Sequence, residues 1–260
     1  MCHKPITNCN LKELYEIFRI EEGVPLFLED HLNRLFRGAQ KSNINLNINP
    51  LKIKKYIYNY ISHDSIAEGN FRLSFYFDET QLDVKEFRGQ SIKPSYPPTH
   101  LYQSGIECSL MHAERIHPET KIANTELRNQ ADERISNNHL FEVILVNRDG
   151  RITEGSRSNV FFIKDKKLIT APDDCVLPGV VRKKTIELAK ELAIPIDYKC
   201  LDAKKELPMM DGAFITGTSP RILPIREIDH LKFDPNNEVL QLLISKLKEK
   251  ISNYIKENKK

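Results

Sequence analysis

The chain has 260 residues, of which 40% are hydrophobic and 29% are charged, a composition typical of a globular protein with one large or two modest domains. Its formal net charge of +3 is too small to indicate a nucleic-acid partner, and no apolar stretch of about 18 residues predicts a transmembrane helix. The N-terminus lacks a hydrophobic signal core, and five scattered cysteines without CxxC spacing favour neither a metal site nor a disulfide framework. We therefore expect a protein of the reducing cytoplasm.

The first part of the chain predicts a small unit of strands and helices. Hydrophobic residues alternate where a strand is expected and recur every three or four positions where a helix is expected. The predicted elements are, in chain order, a strand over 14–20, a turn over 21–25, a helix over 27–43 that begins near Glu29, a helix over 51–62, and a strand over 70–78.

A proline-containing segment, 89–103, is the best candidate for a linker. We predict a small N-terminal domain over 1–95, a linker over 96–103 and a larger domain over 104–260. Since strands first follow one another and then meet helices, the fold class predicted is α+β with two domains. The elements expected after the linker are a strand over 106–112, a helix over 126–137, a β-meander over 142–170, a helix over 182–192 opened by 177–181, a strand over 214–220, and a helix over 239–257.

A lysine and a later carboxylate are the most informative residues. Lys121 stands three positions before Asn124, and Glu154 opens a turn rich in glycine and serine. An amine can form a Schiff base with an aldehyde cofactor, and a carboxylate can keep a pyridine nitrogen protonated so that the ring accepts electrons. Taken singly, Lys121 would be a solvated loop residue and Glu154 an ordinary turn carboxylate. The pair favours a pyridoxal phosphate enzyme.

Four separated motifs resemble the class IV aminotransferase family, which includes branched-chain and D-amino-acid aminotransferases and aminodeoxychorismate lyase. The resemblance covers about residues 15–229. It implies fold type IV, with a smaller N-terminal α/β domain and a larger C-terminal domain that has a β-meander or barrel core. It also implies a homodimer acting on amino acids and keto acids. The motifs are Tyr15-Glu with His31-Leu-Asn-Arg34, Lys121-x-x-Asn124, Glu154-Gly-Ser-x-Ser-Asn-Val-Phe161, and Leu177-Pro-Gly-Val-Val-Arg182 with Thr216-Gly-Thr-Ser219.

The resemblance also implies which residues hold pyridoxal phosphate. Lys121 would form the Schiff base and move the substrate proton, and Glu154 would face the pyridine nitrogen. Arg34, otherwise a surface helix arginine, offers a planar fork suited to the phosphate. Backbone N–H groups at Val180 and Val181, where a helix begins, can bind the same anion. The remaining cofactor contacts that the resemblance implies come from Ser156, Thr218 and Ser219.

Three residues are candidates for substrate contacts, each with an ordinary alternative. Tyr15 matches a position that often helps to bind a substrate carboxylate, but it could equally be a half-buried strand tyrosine. Arg72 lies near a position that commonly faces the substrate, and the alternative is a surface strand arginine. Arg157 either narrows the pocket, binds a carboxylate or binds the phosphate. The residues leave these alternatives open.

The substrate is also open. The leading hypothesis is an aminotransferase that works in two half-reactions, the second is aminodeoxychorismate lyase, and the third is a remnant that binds cofactor or a partner without catalysis. The Lys-x-x-Asn spacing matches the D-amino-acid and lyase types. The segment 80–89 lacks the Arg-x-His pair of typical D-amino-acid enzymes, and Ile17 stands where lyases often have threonine. Residues 6–11 stand in place of the usual first strand and lead of the family.

Overall fold

The computed structural model describes residues 11–115, 118 and 120–259. The described residues form two compact units. The N-terminal unit runs to Lys93 and also includes Thr120–Ala123, and the C-terminal unit contains the other residues from Pro94 onward. Each unit combines a sheet with helices, which confirms the predicted α+β fold class. The predicted domain limits stay a prediction. The segment expected in place of the first family strand, residues 6–11, lies outside the described residues except for Leu11.

The N-terminal unit is built on a sheet with strand order β2-β1-β3-β4. β1 pairs antiparallel with β3 in a register that sets Tyr15 opposite Ser74. The two strands and two helices predicted for this part of the chain are confirmed as β1, β3, α1 and α2, whereas β2 and β4 were not predicted. In chain order, the elements of this unit are β1 (Leu11–Glu21), β2 (Val24–Pro25), α1 (Leu28–Lys41), α2 (Pro50–His63), β3 (Gly69–Asp78) and β4 (Val84–Ile92).

The two helices pack their apolar faces on one side of this sheet. In α2, Ile53, Ile57 and Ile61 recur every fourth residue and are buried, which is the spacing of one helix face. The helix begins where the Asn49 side chain accepts a hydrogen bond from Lys52 N at 2.9 Å, with Pro50 in the first turn. The opposite, polar side of the sheet is therefore left for other contacts.

The C-terminal unit is built on a larger sheet, with strand order β10-β9-β8-β12-β13-β5-β6-β7-β11 and β14 paired with β13. The predicted strands over 106–112 and 214–220 and the three predicted helices are confirmed. Its elements are α3 (Leu101–Ser104), β5 (Ile106–His112), α4 (Thr125–Asn137), β6 (Glu142–Val146), β7 (Arg151–Gly155), β8 (Asn159–Lys164), β9 (Lys167–Thr170), α5 (Val180–Glu191), β10 (Ile196–Tyr198), β11 (Leu201–Asp202), β12 (Gly212–Gly217), β13 (Arg221–Ile228), β14 (Leu231–Lys232) and α6 (Glu238–Asn258).

The continuous meander predicted over 142–170 is wrong. The segment forms two hairpins, β6-β7 and β8-β9, and β8 takes β12 rather than β7 as its second neighbour. β8 is buried over residues 159–163 and pairs with β12 along this stretch, from Asn159 opposite Thr216 to Ile163 opposite Gly212. Phe161 stacks on Phe214 of β12 with ring centroids 5.0 Å apart.

The ends of β4 and α3 define the segment that the sequence predicts as a linker. β4 extends to Ile92 and α3 begins at Leu101, so the irregular segment here is shorter than the predicted 89–103.

None of the helices in the described part of the chain combines the length and the hydropathy that crossing a bilayer would require.

The core of the N-terminal unit predicts a severe effect of adding one methyl group at Gly89. A Cβ built there would lie 2.5 Å from Tyr56 Cε1 and 2.7 Å from Phe71 Cζ. We expect Gly89→Ala to lower the free energy of unfolding by about 1–3 kcal/mol, because the rings must move out of a packed core. Urea unfolding measures this, with Ser91→Ala, at an exposed position of the same strand, as the control. Equal stability of the two variants would contradict the packing described.

Candidate active site

Lys121 is held in the N-terminal unit by the exposed edge of β1. Tyr15 N donates to Lys121 O at 3.1 Å, and Ala123 N donates to Glu13 O at 2.9 Å. Leu14 and Ile122 form the antiparallel bridge between these contacts. Since paired residues share a face of the sheet, Ile122 packs into the core with Leu14, and Lys121 lies on the other face with Tyr15. Its Nζ is 5.2 Å from the centre of the Tyr15 ring.

The residue before Lys121 is fixed by α1. Ser42 Oγ donates to Thr120 Oγ1 at 3.1 Å. A Cβ on Gly38 would lie 3.4 Å from Thr120 Cγ2, so the segment packs directly against the helix at this point. The backbone of Lys121 is thus held by a strand and, through Thr120, by a helix. No pattern in the sequence indicated that residues 120–123 belong to this unit.

Glu16 is a fully buried carboxylate on the core face of β1. Arg34 Nε and NH2 of α1 donate to its two oxygens at 2.8 and 2.6 Å, and His31 Nδ1 lies 2.9 Å from Glu16 Oε2. Burial raises the pKa of Glu16, but the charges of Arg34 and Lys121 and the hydrogen bonds from Arg34 and His31 outweigh it. The pKa of this carboxyl therefore lies well below its ordinary value.

His31 contacts Glu16 through Nδ1 in this cluster. Burial lowers the pKa of His31 more than the nearby Glu16 raises it. Because the partner of Nδ1 is a carboxylate, Nδ1 carries the proton. The His-x-x-Arg spacing noted in the sequence therefore reflects one turn of helix that presents two donors to Glu16.

Tyr15 and Arg72, both predicted to contact substrate, lie together on the polar face of the sheet. The Arg72 guanidinium carbon is 4.2 Å from the centre of the Tyr15 ring. Arg72 Nε and NH2 donate to Glu13 Oε1 and Oε2 at 3.0 and 2.7 Å. The structure thus brings Tyr15, Arg72 and Lys121 together, and it adds Glu13, which the sequence had not indicated.

In the C-terminal unit, Glu154 is buried at the end of β7. Arg115 Nε donates to Glu154 Oε1 at 2.8 Å, and Leu177 N donates to Glu154 Oε2 at 3.0 Å. Burial raises the pKa of Glu154, and Arg115 and the Leu177 N–H oppose this shift only in part, while the charge of Glu142 raises the pKa further. A buried carboxylate in this state binds a proton or a second cation readily. The sequence had not indicated Arg115, which is 39 positions away.

A second buried carboxylate, Glu142, shapes the turn that follows Glu154. Ser156 Oγ and Ser158 Oγ donate to it at 2.6 and 2.9 Å, and Arg157 N donates at 3.1 Å. The Ser156 hydroxyl is therefore directed at Glu142. The Arg157 guanidinium is half exposed and pairs with Asp132 of α4. Because the Arg157 charge is paired with Asp132, the structure favours neither binding of a substrate carboxylate nor binding of the cofactor phosphate by Arg157.

Asn159 joins this turn to the start of α5. Its Nδ2 donates to Leu177 O at 2.7 Å and to Glu154 Oε2 at 3.3 Å. A Cβ on Gly179 would lie 2.1 Å from Asn159 Oδ1, so only glycine permits this approach. Val180 and Val181 then begin the helix, whose N-terminus has no side-chain cap. Uncapped N–H groups at a helix start are suited to binding an anion.

The end of β12 lies beside the same turn. Thr216 is paired with Asn159, and the position of a Cβ on Gly217 is 3.8 Å from Arg157 O. Thr218 and Ser219 form the turn into β13. Thr216 Oγ1 is buried without a hydrogen-bond partner in the described part of the chain. An unused hydroxyl near a buried carboxylate and a helix start fits a bound group that carries both an anion and a cation.

Comparison with known proteins identifies the family and the fold. Residues 13–228 match the family model described as amino-transferase class IV. The D-alanine aminotransferase of Bacillus licheniformis is 26% identical over 83% of this chain and 78% of its own. The aminodeoxychorismate lyase of Bacillus subtilis strain 168 is 27% identical over 94% of this chain and 87% of its own. The fold also matches the T.th. branched-chain amino acid aminotransferase solved with pyridoxamine 5'-phosphate, with a TM-score of 0.81, 18% identity, and coverage of 94% and 86%.

The Glu16 cluster predicts a large loss of stability when its charge is removed. In Glu16→Gln, an amide NH2 would face the donors of Arg34 or His31, so we expect a loss of about 3–5 kcal/mol in the free energy of unfolding at neutral pH. Glu21→Gln, a control at a more exposed pair on the same strand, should cost less than about 1 kcal/mol. Urea unfolding of the cofactor-free protein measures both.

The same substitution has a defined pH dependence. The pKa of Glu16 is lowered by folding, so its stabilising effect is present above the unfolded pKa of about 4.3 and declines as the pH falls below that value. The stability difference between wild type and Glu16→Gln should therefore shrink in acid. A difference that grows in acid would contradict the ion pairs described here.

Proposed function

Because the chain belongs to the class IV aminotransferase family, we propose that it is a pyridoxal-phosphate-dependent aminotransferase that moves an amino group between an amino acid and a 2-keto acid. Enzymes of this family depend on pyridoxal phosphate. Lys121 and Arg34 of the N-terminal unit, and Glu154 and the N-terminus of α5 in the C-terminal unit, are the proposed cofactor contacts. The donor is proposed to be of the branched-chain or D-amino-acid type.

Glu154 is the observation that carries the proposal. Its carboxylate is buried and its pKa is raised, yet Leu177 N–H and Asn159 hold both its position and the adjacent start of α5. A pyridinium nitrogen supplies the cation that such a carboxylate favours, and the cofactor phosphate supplies the anion that suits the uncapped helix start. When bound, the cofactor provides the ring that accepts electrons from the substrate carbon.

The other residues have proposed roles that follow from their positions. Lys121 is the amine, and its backbone is held so that the side chain stays on the face of Tyr15. Arg34 is a proposed phosphate ligand that would use NH1, because its Nε and NH2 donate to Glu16 rather than forming the fork expected for the phosphate. Further phosphate donors would come from Val180 and Val181 N–H and from Thr218 and Ser219, while Ser156 contributes by fixing the turn. A lysine on one fixed face can return a proton to one face of the substrate.

Aminodeoxychorismate lyase is the second candidate, and the match to the Bacillus subtilis lyase over 94% of this chain favours it as strongly. One residue on the polar face of β1 distinguishes the aminotransferase from the lyase. Ile17 lies two positions beyond Tyr15 on that face, so it presents no hydroxyl where the lyases often have one. This favours transamination. We also propose a homodimer, as the family resemblance implies, with small amino and keto acids as the ligands.

The proposed reaction predicts a spectral change without turnover. With pyridoxal phosphate, the protein should show the visible band of the lysine-bound cofactor, and an amino acid alone should convert that band to the pyridoxamine form. Titration with L- and D-amino acids, in the absence of a keto acid, ranks the donors. Lys121→Ala should show no such band. A band that forms through Lys121 but survives every donor, with pyruvate released from aminodeoxychorismate, would replace the aminotransferase with the lyase.

Glu154→Gln tests the assignment of the ring-nitrogen partner. The amide retains hydrogen-bonding capacity but no charge, so the cofactor should still bind while the half-reaction slows by about a hundredfold or more. Stopped-flow absorbance measures the rate, and equilibrium titration measures the affinity. An unchanged rate would remove Glu154 from the proposed role.

A further inference from the structure

The polar face of the N-terminal sheet contains an ion pair next to the reactive lysine. Glu13 and Tyr15 lie on this face of β1, and Arg72 and Ser74 lie on the same face of β3. Arg72 and Lys121 both approach the ring of Tyr15, at 4.2 and 5.2 Å from its centre. The two cations are therefore each within reach of a small molecule that contacts Tyr15.

Arg72 holds Glu13 in the geometry that a ligand carboxylate would take. Its Nε and NH2 donate in parallel to the two oxygens of Glu13, at 3.0 and 2.7 Å. This two-bond fork is the strongest arrangement by which arginine binds a carboxylate. Glu13 is held further by Ser74 Oγ, which donates to Oε1 at 2.6 Å. The Nε–NH2 edge of Arg72, which faces Tyr15 and Ser74 on this side of the sheet, is thus already filled from within the chain.

A second carboxylate at this edge would have to displace Glu13. The side chains of Glu13 and Arg72 are 16% and 26% exposed, so solvent screens the pair only in part. A displaced Glu13 would lose three hydrogen bonds, and two carboxylates beside one guanidinium repel each other. A ligand with an uncharged side chain meets neither cost.

We propose that Glu13 is a specificity-determining residue that closes the Arg72 edge and so selects against substrates with a second carboxylate, in favour of those with uncharged side chains. The inference rests on the proposed function, because it assigns the substrate class for the site around Lys121. In the wild-type protein, Arg72 would then lie beside the substrate side chain without binding a carboxylate of the substrate. Removing the Glu13 charge converts Arg72 into a carboxylate site.

The test compares the binding of two unreactive acids to the cofactor-loaded protein. Glutarate carries two carboxylates, and pentanoate has the same carbon chain with one. Isothermal titration should show that Glu13→Gln tightens glutarate binding by about tenfold, the effect of gaining one charge-assisted fork, and leaves pentanoate binding unchanged. Adding Arg72→Gln to Glu13→Gln should abolish the gain, because the fork is then absent.

Three results would overturn the inference: unchanged glutarate binding in Glu13→Gln, equal tightening for pentanoate, or a gain that survives loss of Arg72. Glu13→Ala, which also frees the Arg72 edge, repeats the test if the glutamine variant does not fold. The titration needs no turnover. If Glu13→Gln binds glutarate more tightly but the protein does not carry out the amino-acid half-reaction, only the proposed function is contradicted. If the protein carries out the half-reaction but glutarate binding does not tighten, only this inference is contradicted.

Discussion

The surroundings of Lys121, the proposed reactive amine, depend on the pairing of residues 120–123 with the edge of β1. This short antiparallel contact decides which face of the sheet carries the side chain of Lys121, and therefore which residues surround its amine. Tyr15 and Arg72 lie on that face, whereas Glu16 and Arg34 lie behind it on the core side. A slip of one residue would direct Lys121 into the hydrophobic core and Ile122 toward solvent. Thr120, held by Ser42, limits that slip.

Three buried carboxylates in the described part of the chain have different tasks because their surroundings differ. Glu16 has Arg34 and His31 as donors, so its charge is held and it orients the helix. Glu142 accepts hydrogen bonds from a turn and gives that turn its shape. Glu154 has a cation and backbone support but its pKa is still raised, which leaves it ready for a further cation. The proposed chemistry uses the last of these and depends on the other two for position.

Local pattern was sufficient for most elements and for the outline of the proposed site. Helical spacing located α1 and α2, and Lys121-x-x-Asn124 was recognisable by its resemblance to a family motif. In the structure, Asn124 caps α4 by accepting a hydrogen bond from Leu127 N. Contacts between distant segments were not predictable from one sequence. Arg72 and Glu13 are 59 positions apart. β8 pairs with β12, a strand distant in sequence, rather than with β7, so the meander prediction failed. Asn159 belongs to the sequence motif that begins at Glu154, but its close approach to Gly179 is visible only in the folded chain.

The most direct test of the role of Lys121 is reduction of the cofactor-loaded protein with borohydride, followed by digestion and peptide mass mapping. Reduction fixes a Schiff base as a stable pyridoxyl-lysine, so the method reports which amine holds the cofactor without any assumption about substrate. We predict one labelled peptide, with the label on Lys121, and no label in Lys121→Ala. A label on a different lysine, or none in a protein that has bound the cofactor, would contradict the proposed role of this residue.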